Sequence, residues 1–169
     1  ALLINWPLLD LFWCDERPVG INDPESNYGN AMTFFGRPPQ DQAKKHRLAG
    51  DATDLEATAR EYEKTVKKLC PGEKLDLILL GIGEDGHTAS LFPKTRALQE
   101  EKRLYVANEV PQKQSVRLTI TFPAIEKAKA VYVLAIGKSK SKILKQILFG
   151  EYNYEEIPAQ RLGTSKTPA

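Results

Sequence analysis

The sequence predicts an α/β fold, a three-layer and Rossmann-like architecture in which a mostly parallel sheet carries helices on both faces. Strand-like segments alternate with helical segments along the chain, which is typical of such sheets. The apolar runs at residues 8–14, 75–80 and 131–137 are almost uninterrupted, as in strands that are buried on both faces. A length of 169 residues suits a single domain with one core.

The elements follow one another in a definite order. Strands are predicted at residues 8–14, 75–80, 103–110, 115–120 and 131–137. Helices are predicted at residues 31–35, 51–70, 123–130 and 139–150, and the last of them ends at Gly150. Residues 36–50 and the tail from Glu151 show no apolar period, so we expect loops there.

Residues 51–70 form the clearest helical pattern. Apolar side chains recur every three or four residues on one face, at Leu55, Ala59, Tyr62, Val66 and Leu69. Thr53 and Glu56 have the spacing of a capping box, which predicts that Thr53 caps this helix.

The composition argues against several classes of function. The chain has 24 basic and 22 acidic residues, and a net charge of +2 gives no reason to expect a nucleic-acid partner. No apolar run reaches the ~20 residues that a membrane span needs. Cys14 and Cys70 are typical of reduced thiols in a cytoplasmic protein, and two histidines without paired cysteines do not make a metal site. We therefore expect no metal and no membrane partner, and no feature indicates an oligomeric state.

The stretch GIGEDGHTASLFP, residues 81–93, contains the pattern G-x-G-x-x-G directly after a predicted strand. A dinucleotide site would need a crossover helix at this point, and Pro93 would stop such a helix. The same turn carries His87 two residues after Asp85. A carboxylate beside an imidazole suits a general base near neutral pH, so the turn is a candidate catalytic loop.

Other candidates lie near the ends of predicted strands and helices, because ligands of such sheets bind where strands end. A nucleophilic pair of Cys14 and His87 is one alternative, although a cysteine of this kind is more often a small buried side chain. Arg17 follows the first strand, and Lys140 opens a helix whose N–H groups favour an anion such as phosphate. Arg117 interrupts an apolar strand, and its side chain points either toward a ligand or toward water.

Five segments extend over most of the chain and carry a resemblance. They are FWCDERPV (12–19), DPESNYG (23–29), DLILLGIGEDGHTASLFP (76–93), VRLTITFPAIEKAKAVYVLAIG (116–137) and the G-x-x-K of residues 137–140. Together they resemble the glucosamine-6-phosphate isomerase/6-phosphogluconolactonase family. The loop G-x-G-x-D-G-H-T-A-S-L-F-P is far more specific than its glycines alone.

The resemblance implies hydrolysis of 6-phosphoglucono-1,5-lactone to 6-phosphogluconate in the pentose phosphate pathway, without a cofactor. His87 would be the general base for water, supported by Asp85. The substrate-binding residues would be Arg17, Arg117, Lys140, Asp15 and Gly83. Backbone N–H groups of the turn at residues 81–86 would be donors to the oxyanion.

Two alternatives stay open. A glucosamine-6-phosphate deaminase or isomerase would carry asparagine and glutamate where this chain has Leu91 and Phe92, and tyrosine at Arg17, which favours the lactonase. A non-catalytic sugar-phosphate-binding module would keep the pocket without turnover. Family members also carry a glycine-rich phosphate loop before the first strand here and a closing segment after the tail. We therefore expect residues 1–169 to be one domain that is incomplete at both ends.

Overall fold

The structure is a computed structural model, and it describes residues 4–163. Its strands are β1 (Asp10–Phe12), β2 (Asp15–Glu16), β3 (Lys44–His46), β4 (Ile78–Gly81), β5 (Tyr105–Val110), β6 (Ser115–Ile120) and β7 (Val131–Leu134). Its α-helices are α1 (Asn27–Phe35), α2 (Leu55–Leu69), α3 (Phe122–Lys127) and α4 (Ser141–Phe149). Parallel pairs form between β1 and β3 and between β4 and β7, which confirms the predicted α/β class.

The strands β2, β6 and β5 form an antiparallel sheet that the sequence analysis did not foresee. The turn between β5 and β6 holds Pro111 and Gln114, and Gln114 adopts a left-handed backbone with φ of 48°. A connection this short can only join antiparallel strands. The hairpin sets Asp15 of β2 opposite Thr119 of β6, at one edge of the site described below.

The predicted strand at residues 8–14 is shorter in the structure, where it is β1 and only half-buried, and β2 begins at Asp15, beyond the predicted end. The predicted loop at residues 36–50 contains β3, which pairs with β1 through its backbone. The apolar pattern missed β3 because its residues are basic. The ring of His46 stacks on Phe12 at 4.5 Å between centroids, and its Nε2 lies 2.7 Å from Asp10 Oδ1.

Helix α2 begins later than predicted, and its cap differs. Asp54 caps it by accepting a hydrogen bond from the Ala57 amide at 2.8 Å, so the prediction of Thr53 was wrong. Glu56 faces away from the cap and accepts from Arg103 at 2.8 Å. The last helix ends at Gly150, as predicted.

The core lies between α2 and the strands β4 to β7. Tyr62 and Val66 of α2 pack in one cluster with Ile78, Leu80 and Leu118. On the other face of β4 and β7 the large side chains Leu79, Tyr132 and Leu134 are exposed, so the expectation that these two strands are buried on both faces is wrong for the described residues. None of the helices within residues 4–163 is long and apolar enough to cross a membrane.

The tail is more ordered than the predicted loop. A 3-10 helix spans Pro158–Arg161, and the amide of Ala159 donates to the carbonyl of Gly86 at 2.9 Å. The tail therefore packs against the glycine-rich turn and holds it by this hydrogen bond. The remainder of the predicted tail loop, residues 164–169, lies outside the described residues.

Candidate active site

A cleft of about 670 Å³ opens beside the carboxyl end of β4. Six of the predicted site residues line it: Asp15, Arg17, Gly83, His87, Arg117 and Lys140. The seventh, Asp85, reaches the cleft through its contact with His87. Segments far apart in sequence thus meet at one place.

The side chains of Asp85 and His87 are in contact. His87 Nδ1 lies 2.5 Å from Asp85 Oδ1, which also accepts from the His87 amide at 3.1 Å. Burial would raise the pKa of Asp85, but the hydrogen bonds from the His87 ring and amide outweigh it and lower that pKa. An ionised carboxylate only accepts hydrogen bonds, so the proton of neutral His87 sits on Nδ1. The Nε2 atom is left as the proton acceptor.

Gly83 is essential to this pair for a steric reason. A Cβ on Gly83 would lie 2.1 Å from His87 Nδ1 and 2.6 Å from Asp85 Oδ1. Such distances are far inside van der Waals contact, so only glycine lets the two functional side chains meet here. Gly86 adopts a φ of 84°, the left-handed region that glycine enters without strain.

The backbone amides of this turn are largely used within it. The Gly83 N–H donates to the His87 carbonyl at 2.8 Å, and the Gly86 N–H donates to the Gly83 carbonyl at 3.1 Å. The expectation that the turn supplies oxyanion donors is therefore wrong for these two amides, because both already hold the turn closed. The pattern of glycines could not show which amides remain free. The loop is also followed by no α-helix before the 3-10 turn Arg96–Gln99, unlike a dinucleotide site.

Phe92 is a contact that the sequence analysis did not foresee. Its ring stacks on His87 with centroids 4.0 Å apart and planes 19° apart, and only 3% of the residue is exposed. Lys113, at the turn of the β5–β6 hairpin, holds its Nζ 5.9 Å from the centroid of the same ring and also lines the cleft. Phe92 was singled out only as a difference from the deaminase, and no local pattern marks Lys113.

Two arginines form the cationic side of the cleft. Arg117 projects from β6 into the cleft rather than into bulk water, and Arg17 follows β2. Both arginines line the cleft, and burial, with the nearby positive charge of Arg17, lowers the pKa of Arg117. Among the described residues, the buried Nε atoms of both arginines have no hydrogen-bond partner. Two such donors in one cleft suit an anionic group of the ligand. Lys140 lines the same cleft just before α4.

Asp15 sits between the arginines and the catalytic loop. Its Oδ2 accepts from the Ser90 hydroxyl at 2.7 Å, and its Oδ1 accepts from the Asn27 amide at 3.0 Å. Burial raises the pKa of Asp15, against smaller effects from Ser90 and Arg17 that lower it. Ser90 and Asn27 both lie inside quoted motifs, yet only the fold shows that they hold one carboxyl group.

Glu16 is buried and organises the start of α1. It accepts from the backbone amides of Arg17 at 2.8 Å, Asn27 at 2.7 Å and Tyr28 at 2.7 Å. A carboxylate at the first turn of a helix also complements the helix dipole. Glu16 thereby fixes Asn27, and through it the carboxyl of Asp15.

Cys14 does not join the site. Its Sγ lies 3.9 Å from the Leu79 carbonyl, and burial, with the nearby charge of Asp15, raises the pKa of its thiol to about 12. A thiol with this pKa is protonated at neutral pH and is a poor nucleophile. The geometry thus favours the interpretation of Cys14 as a small, partly buried side chain that packs against the core.

The fold and the cleft define an α/β protein with two features at the ends of its strands. One is an Asp–His pair, and the other is a group of positively charged side chains that suits an anionic ligand. The chain belongs to a specific family of this class. A model of the glucosamine-6-phosphate isomerases/6-phosphogluconolactonase family matches residues 1–168. The resemblance seen in the sequence motifs is therefore confirmed.

Individual relatives agree with the family. A 6-phosphogluconolactonase of Chlamydia pneumoniae is 39% identical over 167 residues, covering 98% of this chain and 64% of that protein. One from Chlamydia trachomatis is 36% identical over 94% of this chain and 60% of its own length. The chain therefore spans less than two thirds of the length of these curated relatives.

Solved structures share the fold. The crystal structure of a 6-phosphogluconolactonase from Shewanella baltica matches with a TM-score of 0.86 and 26% identity, over 98% of this chain and 71% of that one. A monomeric glucosamine-6-phosphate deaminase matches with a TM-score of 0.69 and 28% identity, over 86% of this chain and 64% of that one. Both activities thus occur on this fold, and the site has to distinguish between them.

Proposed function

We propose that the protein hydrolyses 6-phosphoglucono-1,5-lactone to 6-phosphogluconate, as a cytoplasmic enzyme of the pentose phosphate pathway. The names of its relatives support this substrate. The observation that carries the proposal is the Asp85–His87 pair, which lies in one cleft with the two arginines. A lactone carbonyl is already electrophilic, so a positioned water and a base suffice and no cofactor is needed.

In the proposed reaction, His87 Nε2 takes a proton from water while the water oxygen attacks the lactone carbonyl carbon. Asp85 holds the Nδ1 proton in place and stabilises the imidazolium that forms. The tetrahedral intermediate then expels the ring oxygen, which takes up a proton, and the product is a carboxylic acid that ionises. A general base of this kind typically contributes about 10²–10⁴-fold to the rate.

The phosphate lies far from the reacting carbon, and its role is binding. Arg17, Arg117 and Lys140 supply positive charge on the cleft wall. The binding energy between these residues and the phosphate holds the lactone ring next to His87. Binding of a group far from the reacting carbon thereby increases the rate of the reaction.

The central test is lactone hydrolysis by the full-length protein and by His87→Ala. We expect kcat to fall by about 10²–10⁴-fold with KM little changed. His46→Gln is the matched control, because His46 bonds to Asp10 outside the cleft. A His87→Ala variant within a few-fold of wild type would remove His87 from the role of base.

The phosphate site can be tested separately from the base. Lys140→Ala should chiefly raise KM for the phosphorylated lactone, and the wild type should hydrolyse the unphosphorylated lactone poorly. Equal rates on the two lactones would contradict a phosphate site in this cleft.

The second candidate is a glucosamine-6-phosphate deaminase, which the structural match to such an enzyme favours. Against it, the position that carries a supporting glutamate in the deaminases is Phe92 here, whose ring covers His87. Release of ammonia from glucosamine 6-phosphate would identify that activity. A non-catalytic module would show a thermal shift with 6-phosphogluconate and no lactonase rate above the spontaneous one.

A further inference from the structure

The carboxyl of Asp15 has two unlike hydrogen-bond partners. Asn27 Nδ2 donates both to Asp15 Oδ1, at 3.0 Å, and to the Asp15 backbone carbonyl, at 2.9 Å. A backbone carbonyl only accepts, so the orientation of the Asn27 amide is fixed, and Oδ1 must remain an acceptor. Ser90, on Oδ2 at 2.7 Å, carries a hydroxyl that can either donate or accept. Oδ2 is therefore the oxygen that can carry a proton.

The groups around Asp15 have opposite effects on the protonation of its carboxyl. Burial and the negative charge of Glu16 favour its neutral form, while Arg17, Arg117 and the Ser90 hydrogen bond favour its ionised form. The cleft also holds Glu25, His87, Lys113 and Lys140. The two guanidinium groups are thus the main charges of the protein that favour the ionised form of Asp15.

An anion bound to the arginines would change this balance in one direction. It would compensate their positive charge, add negative charge near Asp15, and displace water that solvates the carboxylate. Each of the three effects disfavours a carboxylate. We propose that Asp15 binds a proton on Oδ2 when a phosphate-type dianion occupies the arginine side of the cleft. The identity of the natural anion rests on the proposed function. The coupling between anion binding and the protonation of Asp15 does not require that the enzyme turn over a substrate.

The coupling has a consequence for substrate recognition. A neutral Asp15 does not repel the phosphate of the substrate, and its O–H donates to the Ser90 hydroxyl. By linkage, the anion then binds more tightly at lower pH, and this effect disappears above the pKa that Asp15 has in the complex.

The test uses sulfate, because sulfate does not titrate near neutral pH and any proton taken up belongs to the protein. Infrared difference spectra of the full-length protein should show the carbonyl band of a protonated carboxylic acid when sulfate is added. Asp15→Asn should still bind sulfate and lack that band. Calorimetry in two buffers of different ionisation enthalpy should give a net proton uptake in the wild type that Asp15→Asn loses.

Ser90→Ala is a second variant, which stays informative if Asp15→Asn does not fold. Loss of the Ser90 hydrogen bond disfavours the carboxylate, so the band should persist to higher pH than in wild type. Sulfate binding without the carbonyl band or the proton uptake would overturn the proposal for Asp15. It would not contradict the proposed lactonase activity. Failure of both sulfate and 6-phosphogluconate to bind would overturn it as well. Proton uptake in a protein without lactonase activity would refute only the proposed function.

Discussion

The ring of Phe92 lies flat against the imidazole of His87, with centroids 4.0 Å apart. The hydrogen bond to Asp85 fixes one edge of the imidazole, and the stack fixes its plane. Two contacts of different kinds thus define the direction in which Nε2 points. The family's local motif supplies all three residues within eight positions of the chain.

Phe92→Leu should therefore slow the reaction without abolishing it. Leucine keeps the buried apolar contact but loses the stack, which is worth about 0.5–1.5 kcal/mol. We expect kcat to fall by up to about tenfold, since 1.4 kcal/mol corresponds to a factor of ten. Steady-state kinetics checks this, with Leu91→Met as control because Leu91 is equally buried. An unchanged kcat in Phe92→Leu would show that the stack does not orient the base.

Gly83→Ala should inactivate the enzyme while the fold survives. A Cβ at this position would overlap His87 Nδ1, so the ring or the turn has to move. Displacing a catalytic group by about 1 Å can cost about 10²-fold in rate. Gly81→Ala is the matched control, because a Cβ there meets no atom within 4 Å. Comparable kcat values for the two variants would contradict the steric role of Gly83.

Some residues of this site can be predicted from the sequence and others cannot, for a physical reason. His87 and Asp85 were singled out because they lie two residues apart in one turn, whereas Gly83 was named only as a substrate-binding residue that the resemblance implies. The hydrogen bond of Ser90 to Asp15 joins residues 75 positions apart, and no periodic pattern encodes such a contact.

The strands likewise fall into those that could be predicted from the sequence and those that could not. The strands β4 and β7 were recognised because their sequences are apolar almost throughout, although only one face of each is buried in the structure. Strand β3 was missed because backbone pairing with β1, rather than side-chain burial, holds it in the sheet.

Cys14→Ala should leave kcat within about twofold of wild type. The thiol, whose pKa is raised to about 12, stays protonated near neutral pH and has no part in the proposed reaction. Lactone hydrolysis by Cys14→Ala and by Cys70→Ala, measured side by side, tests this. A selective loss of about 100-fold in Cys14→Ala would restore the alternative of a cysteine nucleophile.

Glu16→Gln should lower the free energy of unfolding by about 2–3 kcal/mol. The carboxylate accepts three backbone hydrogen bonds while 2% exposed, and hydrogen bonds to charged groups contribute about 1.5–3 kcal/mol each. Glutamine keeps one acceptor and places an NH₂ against amides that also donate. Urea unfolding measures the change, and Glu109→Gln, at an exposed position of β5, should change stability by less than about 0.5 kcal/mol. Equal stabilities of the two variants would contradict the role of Glu16 at the start of α1.

Arg103→Met should destabilise the protein in a way that depends on pH. Arg103 Nε lies 2.5 Å from the buried Glu63, and Lys67 lies 2.7 Å from the other oxygen of that carboxylate. Burial would raise the pKa of Glu63, but the hydrogen bonds from Lys67 and Arg103 outweigh it and lower that pKa. Breaking a buried pair costs about 3–5 kcal/mol, and since Lys67 remains, we expect about 2 kcal/mol at neutral pH.

Because the folded-state pKa of Glu63 is lowered, its contribution is complete above the ordinary pKa of glutamate, about 4.3. It is lost as the pH falls through the lower folded-state value. The difference in unfolding free energy between wild type and Arg103→Met should therefore shrink below about pH 4. Arg60→Met is the control, since Arg60 is 64% exposed and its ion pair with Glu56 contributes less than about 1 kcal/mol. A difference between wild type and Arg103→Met that stays constant from neutral to acidic pH would mean that Arg103 acts through packing of its side chain and not through its charge.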